Sequence, residues 1–442
     1  MTRGDTAHAQ ASPLQLLQVE GALESDDETM SGDGSFFDRH TFEGEAGQAI
    51  AISLESEAFD TYLLLLDAEG NAIAQDDDGG EGTNALIQVE LPATGTYTVL
   101  ANSYEAGATG NYMLVVQQVD SSELEGFQQA LAEAREEGDR TAELEALSDM
   151  ANYYGSREAH LESIEYLQQQ LSLAKTLGNR DYEIAAYQLI PARYVSFVTR
   201  NNAEAYRLLD SDEIELAQQR LTENIKVAEE TIPIVQQGLL IVEGVQIEDI
   251  APEEILTTMN LNLAQIYQGL GQAYQLMGNS YLKVQNLEEA RRWAQQSIEI
   301  GQQAIASGQK ALELAEEKQD TFRFLLANKI LASIFNGIIG DSSSVQAWVF
   351  LNEGSFQEEI NALQQSLAAR QSAVPFAVAS ENEYLQTLIQ GNISNTYDRI
   401  GTAYRELGDY ENSIAATEQA LAIARQLGNQ HLEWNSLLGL DK

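Results

Sequence analysis

The chain has 442 residues, too many for one ordinary hydrophobic core, so two or three domains are expected. Its 69 acidic residues against 24 basic ones give a net charge of −45, a field that repels nucleic acid and anionic membrane faces, both of which need Lys and Arg to bind. Cysteine is absent, which excludes disulfides, thiolate metal sites and cysteine catalysis, and no run of 18 apolar residues is present to span a membrane.

Only seven lysines occur, none of them in the first 120 residues. That skew is shared by proteins adapted to high salt or to the outside of the cell, and also by any merely acidic surface. At the N-terminus, Ala7-His8-Ala9 before Gln10 has the small-x-small form of a signal-peptidase site, but no apolar segment precedes it. A longer leader upstream of Met1 and a chance match both stay open. Residues 1–13 are read as a leader remnant or a disordered tail.

Residues 14–119 read as β. Apolar and polar residues alternate in Ala49–Leu54, Ala85–Leu91 and Tyr97–Ala101, the pattern of half-buried strands. Tyr62–Leu66 is continuously apolar and is read as a central strand. Turn signals at Asp33-Gly34, Glu43-Gly44, Glu69-Gly70-Asn71, Asp78-Gly79-Gly80, Thr94-Gly95 and Thr109-Gly110 separate seven or eight short strands, which suggests a sandwich.

Five stretches here form one pattern. They are Phe59-Asp60-Thr61-Tyr62-Leu63, then Leu66-Asp67 and Gly70, then Asp76-Asp77, then Leu91-Pro92-x-x-Gly95-Thr96-Tyr97, and finally Gly110-x-Tyr112-x-Leu114. In these residues the half resembles the bacterial pre-peptidase C-terminal domain. The resemblance implies a jelly-roll-like β-sandwich of secreted or surface proteins. That family is often appended to peptidases, but no peptidase is present here.

Ser122-x-x-Glu125 has the form of a capping box where the β pattern stops. From there the chain reads helical, with four prolines in the rest of it: Pro191, Pro233, Pro252 and Pro375. Met150-Ala151-x-x-Tyr154 … Ile164 … Leu171 … Leu177-Gly178-Asn179 aligns without a gap on Ile400-Gly401-x-x-Tyr404 … Ile414 … Leu421 … Leu427-Gly428-Asn429. A unit of this kind cannot bury its apolar face alone, so it stacks on copies of itself.

Tyr397, Ile400-Gly401, Tyr404, Gly408-Asp409-Tyr410 and Ala420-Leu421 carry a resemblance to the tetratricopeptide repeat, as do Tyr267, Leu270-Gly271, Tyr274 and Gly278. In the second set Leu287-Glu288-Glu289-Ala290 arrives late, which implies an insertion or longer helices. The clearest repeats are 141–180, 264–318 and 394–430; residues 181–260 and 320–390 are helical with an unresolved repeat count. Gly340-Asp341-Ser342-Ser343-Ser344 reads as a loop, and the apolar Trp348-Val349-Phe350-Leu351 after it as a plug in the core or an exposed sticky patch. Ile241–Pro252 reads as a connecting loop. His431–Leu440 reads as the first helix of a further repeat without a polar cap. It dimerises, packs back on the array, or reflects a truncated gene.

No catalytic constellation is found. His8, His40, His160 and His431 form no paired-ligand spacing, His160 stands at a packing position, and no nucleophile elbow or phosphate-binding loop is present. Asp76-Asp77-Asp78-Gly79-Gly80-Glu81 puts hard oxygen ligands on a turn, and Asp60, Asp76 and Asp78 are the candidate calcium ligands; a solvated turn is the other reading. The tetratricopeptide resemblance places polar residues of the first helix of each repeat on the concave side. These are Gln265, Gln268, Gln272 and Gln275 in the central repeat and Asn395, Asp398, Thr402 and Arg405 in the last. They suit hydrogen bonding to an extended peptide, or are ordinary solvated positions. The Lys, Asn and Arg set of chaperone-tail receptors is missing.

The fold expected is multidomain β + α: a jelly-roll-like β-sandwich over 14–119, then an all-α tetratricopeptide-like superhelical solenoid over 122–442. The function expected is a non-enzymatic interaction scaffold at a periplasmic, extracellular or cell-surface location. It takes a protein or peptide partner, no nucleic acid and no membrane insertion, and forms a homo-oligomer if the C-terminal helix pairs. No cofactor is expected apart from the calcium option. Two alternatives are a β-sandwich that binds carbohydrate, matrix protein or calcium while the helices act as spacer, and the regulatory part of a peptidase or signalling system.

Overall fold

The computed structural model describes residues 15–30, 34–68, 70–77, 79–80, 82–118, 122–243 and 252–440. The leader-like segment with His8, the aspartate at position 78 and most of the Ile241–Pro252 connection lie outside the described residues. The chain divides into two compact units, Met1–Gln129 and Ala130–Lys442.

The described residues of the first unit form nine strands: β1 (Gln15–Leu23), β2 (Glu28–Thr29), β3 (Phe36–Gly44), β4 (Ala49–Glu55), β5 (Thr61–Leu66), β6 (Ala72–Asp76), β7 (Ala85–Glu90), β8 (Gly95–Ser103) and β9 (Gly110–Gln118). They form two sheets, ordered β1-β9-β4-β7 and β2-β3-β8-β5-β6, with antiparallel pairing throughout. Alternation places Ile50, Ile52, Leu54, Leu63, Leu65, Val99, Leu114 and Val116 between the sheets, where all are fully buried. β5 is an interior strand, as its apolar run predicts, and its buried side is Thr61, Leu63 and Leu65.

The quoted motif residues act as fasteners. The buried Thr61 hydroxyl donates to the Leu54 carbonyl (3.0 Å) and accepts from the Ala85 amide (2.7 Å), which ties β5 to strands of the opposite sheet. The Tyr97 hydroxyl donates to the Ala93 carbonyl (2.6 Å) while its ring stacks on Phe42. Tyr112 bridges the sheets from β9: its hydroxyl donates to Asp38 (2.6 Å) and lies 2.7 Å from the His40 ring nitrogen.

The rest of the described chain is helical, and its first helix begins where the capping box predicts, at Ser122, before running on into the second unit. The helices are α1 (Ser122–Glu137), α2 (Arg140–Ser156), α3 (His160–Leu177), α4 (Arg180–Asp210), α5 (Ile214–Glu243), α6 (Pro252–Lys283), α7 (Leu287–Glu317), α8 (Thr321–Ser333), a π-helical segment (Ile334–Gly340), α9 (Asp341–Asn352), α10 (Phe356–Ala379), α11 (Glu383–Glu406), α12 (Tyr410–Leu427) and α13 (Gln430–Leu440). α8, the π segment and α9 run on as one helix, Thr321–Asn352. This helix is long and apolar enough to cross a membrane; here it packs against α7 and α10. The two stretches of unresolved repeat count each contain a full helical hairpin, α4–α5 and α8/α9–α10.

Among the described residues, ten turns between helices place one residue at positive φ. Five of these residues are glycines, and the others are Glu158, Asp212, Gln285, Gln319 and Glu381. Asp or Asn then caps the next helix at Asp139, Asn179, Asn286, Asp320, Asn382 and Asp409.

A second recurring device holds the hairpins together. A serine on the second helix donates to a carbonyl of a small residue on the first. Ser163 donates to Ala151 (2.7 Å), Ser297 to Gly271 (2.7 Å), Ser366 to Gly340 (2.8 Å) and Ser413 to Gly401 (2.7 Å). The partners are 12 residues apart in the first and last pairs and 26 apart in the middle two. The difference is about two extra turns on each helix, which keeps the same faces in register. The late signature at Leu287–Ala290 is thus explained by longer helices.

The loop expected at Gly340–Ser344 is corrected: these residues are helical. The side chains of Asp341, Ser342 and Ser344 are engaged sideways by neighbouring helices, while the buried Ser343 hydroxyl has no hydrogen-bond partner among the described residues. Ser342 donates to Ser297 (2.7 Å), Ser344 lies 3.1 Å from Ser366, and Asp341 accepts from Arg370 (2.6 Å). In the following cluster Val349 is fully buried, while Trp348 is 47% exposed with the Arg399 guanidinium 4.6 Å above its ring.

Candidate functional site

α6 packs against α4, α5 and α7 and also touches α8, the π segment and α9, so most of its surface is buried. Gln265, Gln268, Gln272 and Gln275 fall on one narrow helical face. Gln272 is exposed and the other three are half-buried. Beneath this row lies a polar ladder. Asn224 donates to Asn202 (2.8 Å), Asn201 to Asn224 (3.0 Å), and Asn202 to the Gly269 carbonyl (2.9 Å) and to the Gln272 side chain (3.4 Å). The ladder is buried and internally satisfied, so it fixes α4 and α5 against the base of the row. Gln265, Gln268 and Gln275 make no side-chain hydrogen bond to the described residues. Their amides are therefore open to donate and accept at spacings of three and seven residues.

The last repeat is arranged differently. Asn395 and Thr402 are exposed on α11, whereas Asp398 and Arg405 are engaged by α13. Ser436 donates to Asp398 (2.9 Å), and Arg405 donates to the Gly439 carbonyl (3.1 Å). Leu432 and Ser436 of α13 are buried in this contact, while Trp434, Leu437 and Leu438 on the same helix stay exposed. Burial lifts the Asp398 carboxyl from its ordinary 3.8 to about 6, opposed by the Ser436 hydrogen bond. The α6 row is open, and half of the α11 row is covered by the chain's own C-terminal helix.

At the calcium candidates, the Asp76 carboxylate accepts the backbone amides of Gly79 (2.6 Å) and Leu86 (2.9 Å), which organises the turn from within. Asp60 stands just before β5, and its carbonyl accepts the Tyr104 amide (2.9 Å). Among the described residues no group of three or more His, Asp or Glu could hold a metal ion. His40 is hydrogen-bonded to Tyr112, and His431 lies 3.3 Å from Asn435 on α13. His160 opens α3 half-buried, and burial lowers its pKa.

The sequence reading missed one feature, a cleft where the first turn of α5 meets the last turn of α6. Its local signal is the acidic run Asp210–Glu215. Its apolar lining combines Leu216 of α5 with Tyr281 and Val284 at the end of α6, and no local pattern joins the two.

The bacterial pre-peptidase C-terminal domain family matches residues 36–103, and the tetratricopeptide repeat family matches 271–300 and 394–427. No curated protein matches the chain. Among solved structures the chain is similar to the pre-peptidase C-terminal domain of a collagenase from Bacillus anthracis, at 21% identity over 23% of this chain and 88% of that one (TM-score 0.18). It is similar to a de novo designed helical repeat protein at 14% identity over 57% and 100% of the two chains (TM-score 0.27). It is also similar to BtubC from P. vanneervenii at 16% identity over 55% and 93% (TM-score 0.18). The chain thus carries a bacterial pre-peptidase C-terminal domain in its β half and tetratricopeptide repeats in its helical half.

Proposed function

We propose that the protein is a non-enzymatic scaffold whose helical repeats bind a protein or peptide partner along the α6 row, with the β-sandwich as an accessory module outside the cytoplasmic membrane. The observation that carries the reading is the set of uncommitted amides of Gln265, Gln268 and Gln275, held on a rigid helix that is buried elsewhere. Such a row can hydrogen-bond the unpaired backbone groups of an extended segment, and the satisfied ladder below it keeps the spacing fixed. Tetratricopeptide repeats generally mediate protein–protein contacts, and the pre-peptidase C-terminal domain is typical of secreted bacterial proteins, which supports the location. The net charge of −45 argues against nucleic acid as partner.

The test compares full-length protein with a variant carrying Gln268→Lys, Gln272→Lys and Gln275→Lys, both immobilised and exposed to cell-envelope extract. Loss of the captured partner in the variant is the expected result. Equal capture by both proteins removes the α6 row from the interface.

A further inference from the structure

The turn between α4 and α5 and the last turn of α6 enclose an open cleft of about 630 Å³. Leu216, Tyr281 and Val284 give it an apolar floor, and Asp212, Glu213 and Glu215 stand at its rim. Leu216 is 37% exposed and Val284 51% exposed. Its two walls are fastened together. Lys283 donates to the Leu209 carbonyl and to Asp212 (2.5 Å), and Gln218 donates to Ser280 (2.9 Å). The shape is therefore formed before anything binds.

The charge at this cleft is one-sided. Lys283 lies beside it, and its ammonium is already paired with Asp212. Glu213 and Glu215 form no ion pair among the described residues. The α5 N-terminus offsets only about half a unit of their charge. A purely apolar segment laid on the floor would desolvate these carboxylates without compensation, and an anionic one would be repelled.

We propose that this cleft docks a cationic amphipathic peptide segment. An apolar side chain seats on Leu216 and Val284, and flanking Lys or Arg groups meet Glu213 and Glu215, with the Tyr281 ring as a cation–π surface. The proposal rests on the scaffold reading but uses a surface separate from the α6 row.

The test uses full-length protein and a fluorescein-labelled peptide of alternating Lys and Leu, read by fluorescence anisotropy at ~150 mM salt to screen long-range attraction. The Glu213→Gln/Glu215→Gln protein is expected to bind about tenfold more weakly, and so is Leu216→Ser. A charge-matched protein, Glu313→Gln/Glu317→Gln on α7, is expected to bind within about twofold of the parent. Replacing Leu by Ser in the peptide is expected to weaken binding by about tenfold as well. Equal losses in the two double variants, or full binding by Leu216→Ser or by the Lys-Ser peptide, overturn the proposal in favour of nonspecific attraction to an acidic chain. Partner capture on the α6 row is read with different substitutions, so either surface can fail without the other.

Discussion

Ser297 on α7 donates its hydroxyl to the Gly271 carbonyl on α6 at 2.7 Å, and Ser342 on α9 donates to Ser297 at the same distance. One fully buried hydroxyl thereby joins three helices at the middle of the array. Gly271 is required there because an added Cβ would lie 2.7 Å from the Ile338 side chain. Replacing Ser297 with Ala leaves the Gly271 carbonyl and the Ser342 hydroxyl without this partner. The expected loss is about 2 kcal/mol, seen as a lower urea midpoint with an unchanged slope. An unmoved midpoint would show that the hydroxyl contributes no net stability.

Arg370 on α10, 7% exposed at its side chain, pairs with half-buried Asp341 at 2.6 Å and also donates to the Asn392 carbonyl at 3.1 Å. Burial pushes the Arg370 pKa down and the Asp341 pKa up, so each opposes the other's desolvation. Arg370→Met is expected to cost about 3 kcal/mol, and Asp341→Leu in the same protein to restore much of it. Chemical denaturation of the single and double variants measures the coupling; additive losses would contradict the pairing.

The α13 contact is expected to depend on pH in the opposite direction to an ordinary surface carboxylate pair. The Asp398 pKa is about 6 when docked, against an ordinary 3.8, so docking takes up a proton. Its contribution is complete below pH about 4 and is lost as the pH rises through about 6. Amide hydrogen exchange of residues 430–440, corrected for intrinsic rates, should show stronger protection at the lower end of that window. Asp398→Asn should flatten the profile; a profile unchanged by the substitution would place the sensitivity elsewhere.

Glu381 closes α10 with φ +56°, and its exposed side chain makes no hydrogen bond to the described residues. A left-handed backbone strains any residue with a Cβ, whereas glycine adopts it freely. Glu381→Gly is expected to stabilise the helical unit by about 0.5–1 kcal/mol, after the added entropy of the unfolded chain is subtracted. A thermal melt that shifts downward would mean that the entropy cost dominates.

Much of the architecture was legible because local patterns encode it. The alternation in Ala49–Leu54 gave a strand whose Ile50, Ile52 and Leu54 are buried. The pairing of Gly401 with Tyr404 marked a true hairpin, in which an added Cβ at Gly401 would meet Thr417 at 2.5 Å. Gly340–Ser344 misled because turn-forming residues read as a loop when their partners are out of sight. Ser297, Ser366 and Arg370 engage Ser342, Ser344 and Asp341 from other helices. Of the expected concave rows, Gln272 on α6 is exposed and Gln265, Gln268 and Gln275 are half-buried, and nothing local to α11 signals that α13 covers Asp398 and Arg405.

The sequence by itself determined the two kinds of unit, their order, and the strongly acidic charge. These follow from periodicity and composition, which act over a few neighbouring residues. Only the tertiary structure decided which polar rows stay open and where an apolar floor meets an acidic rim. Asp212 and Lys283, 71 positions apart, are brought together by the packing of α5 on α6. Long-range packing chooses which side of each helix is buried, and no short window of residues contains that choice.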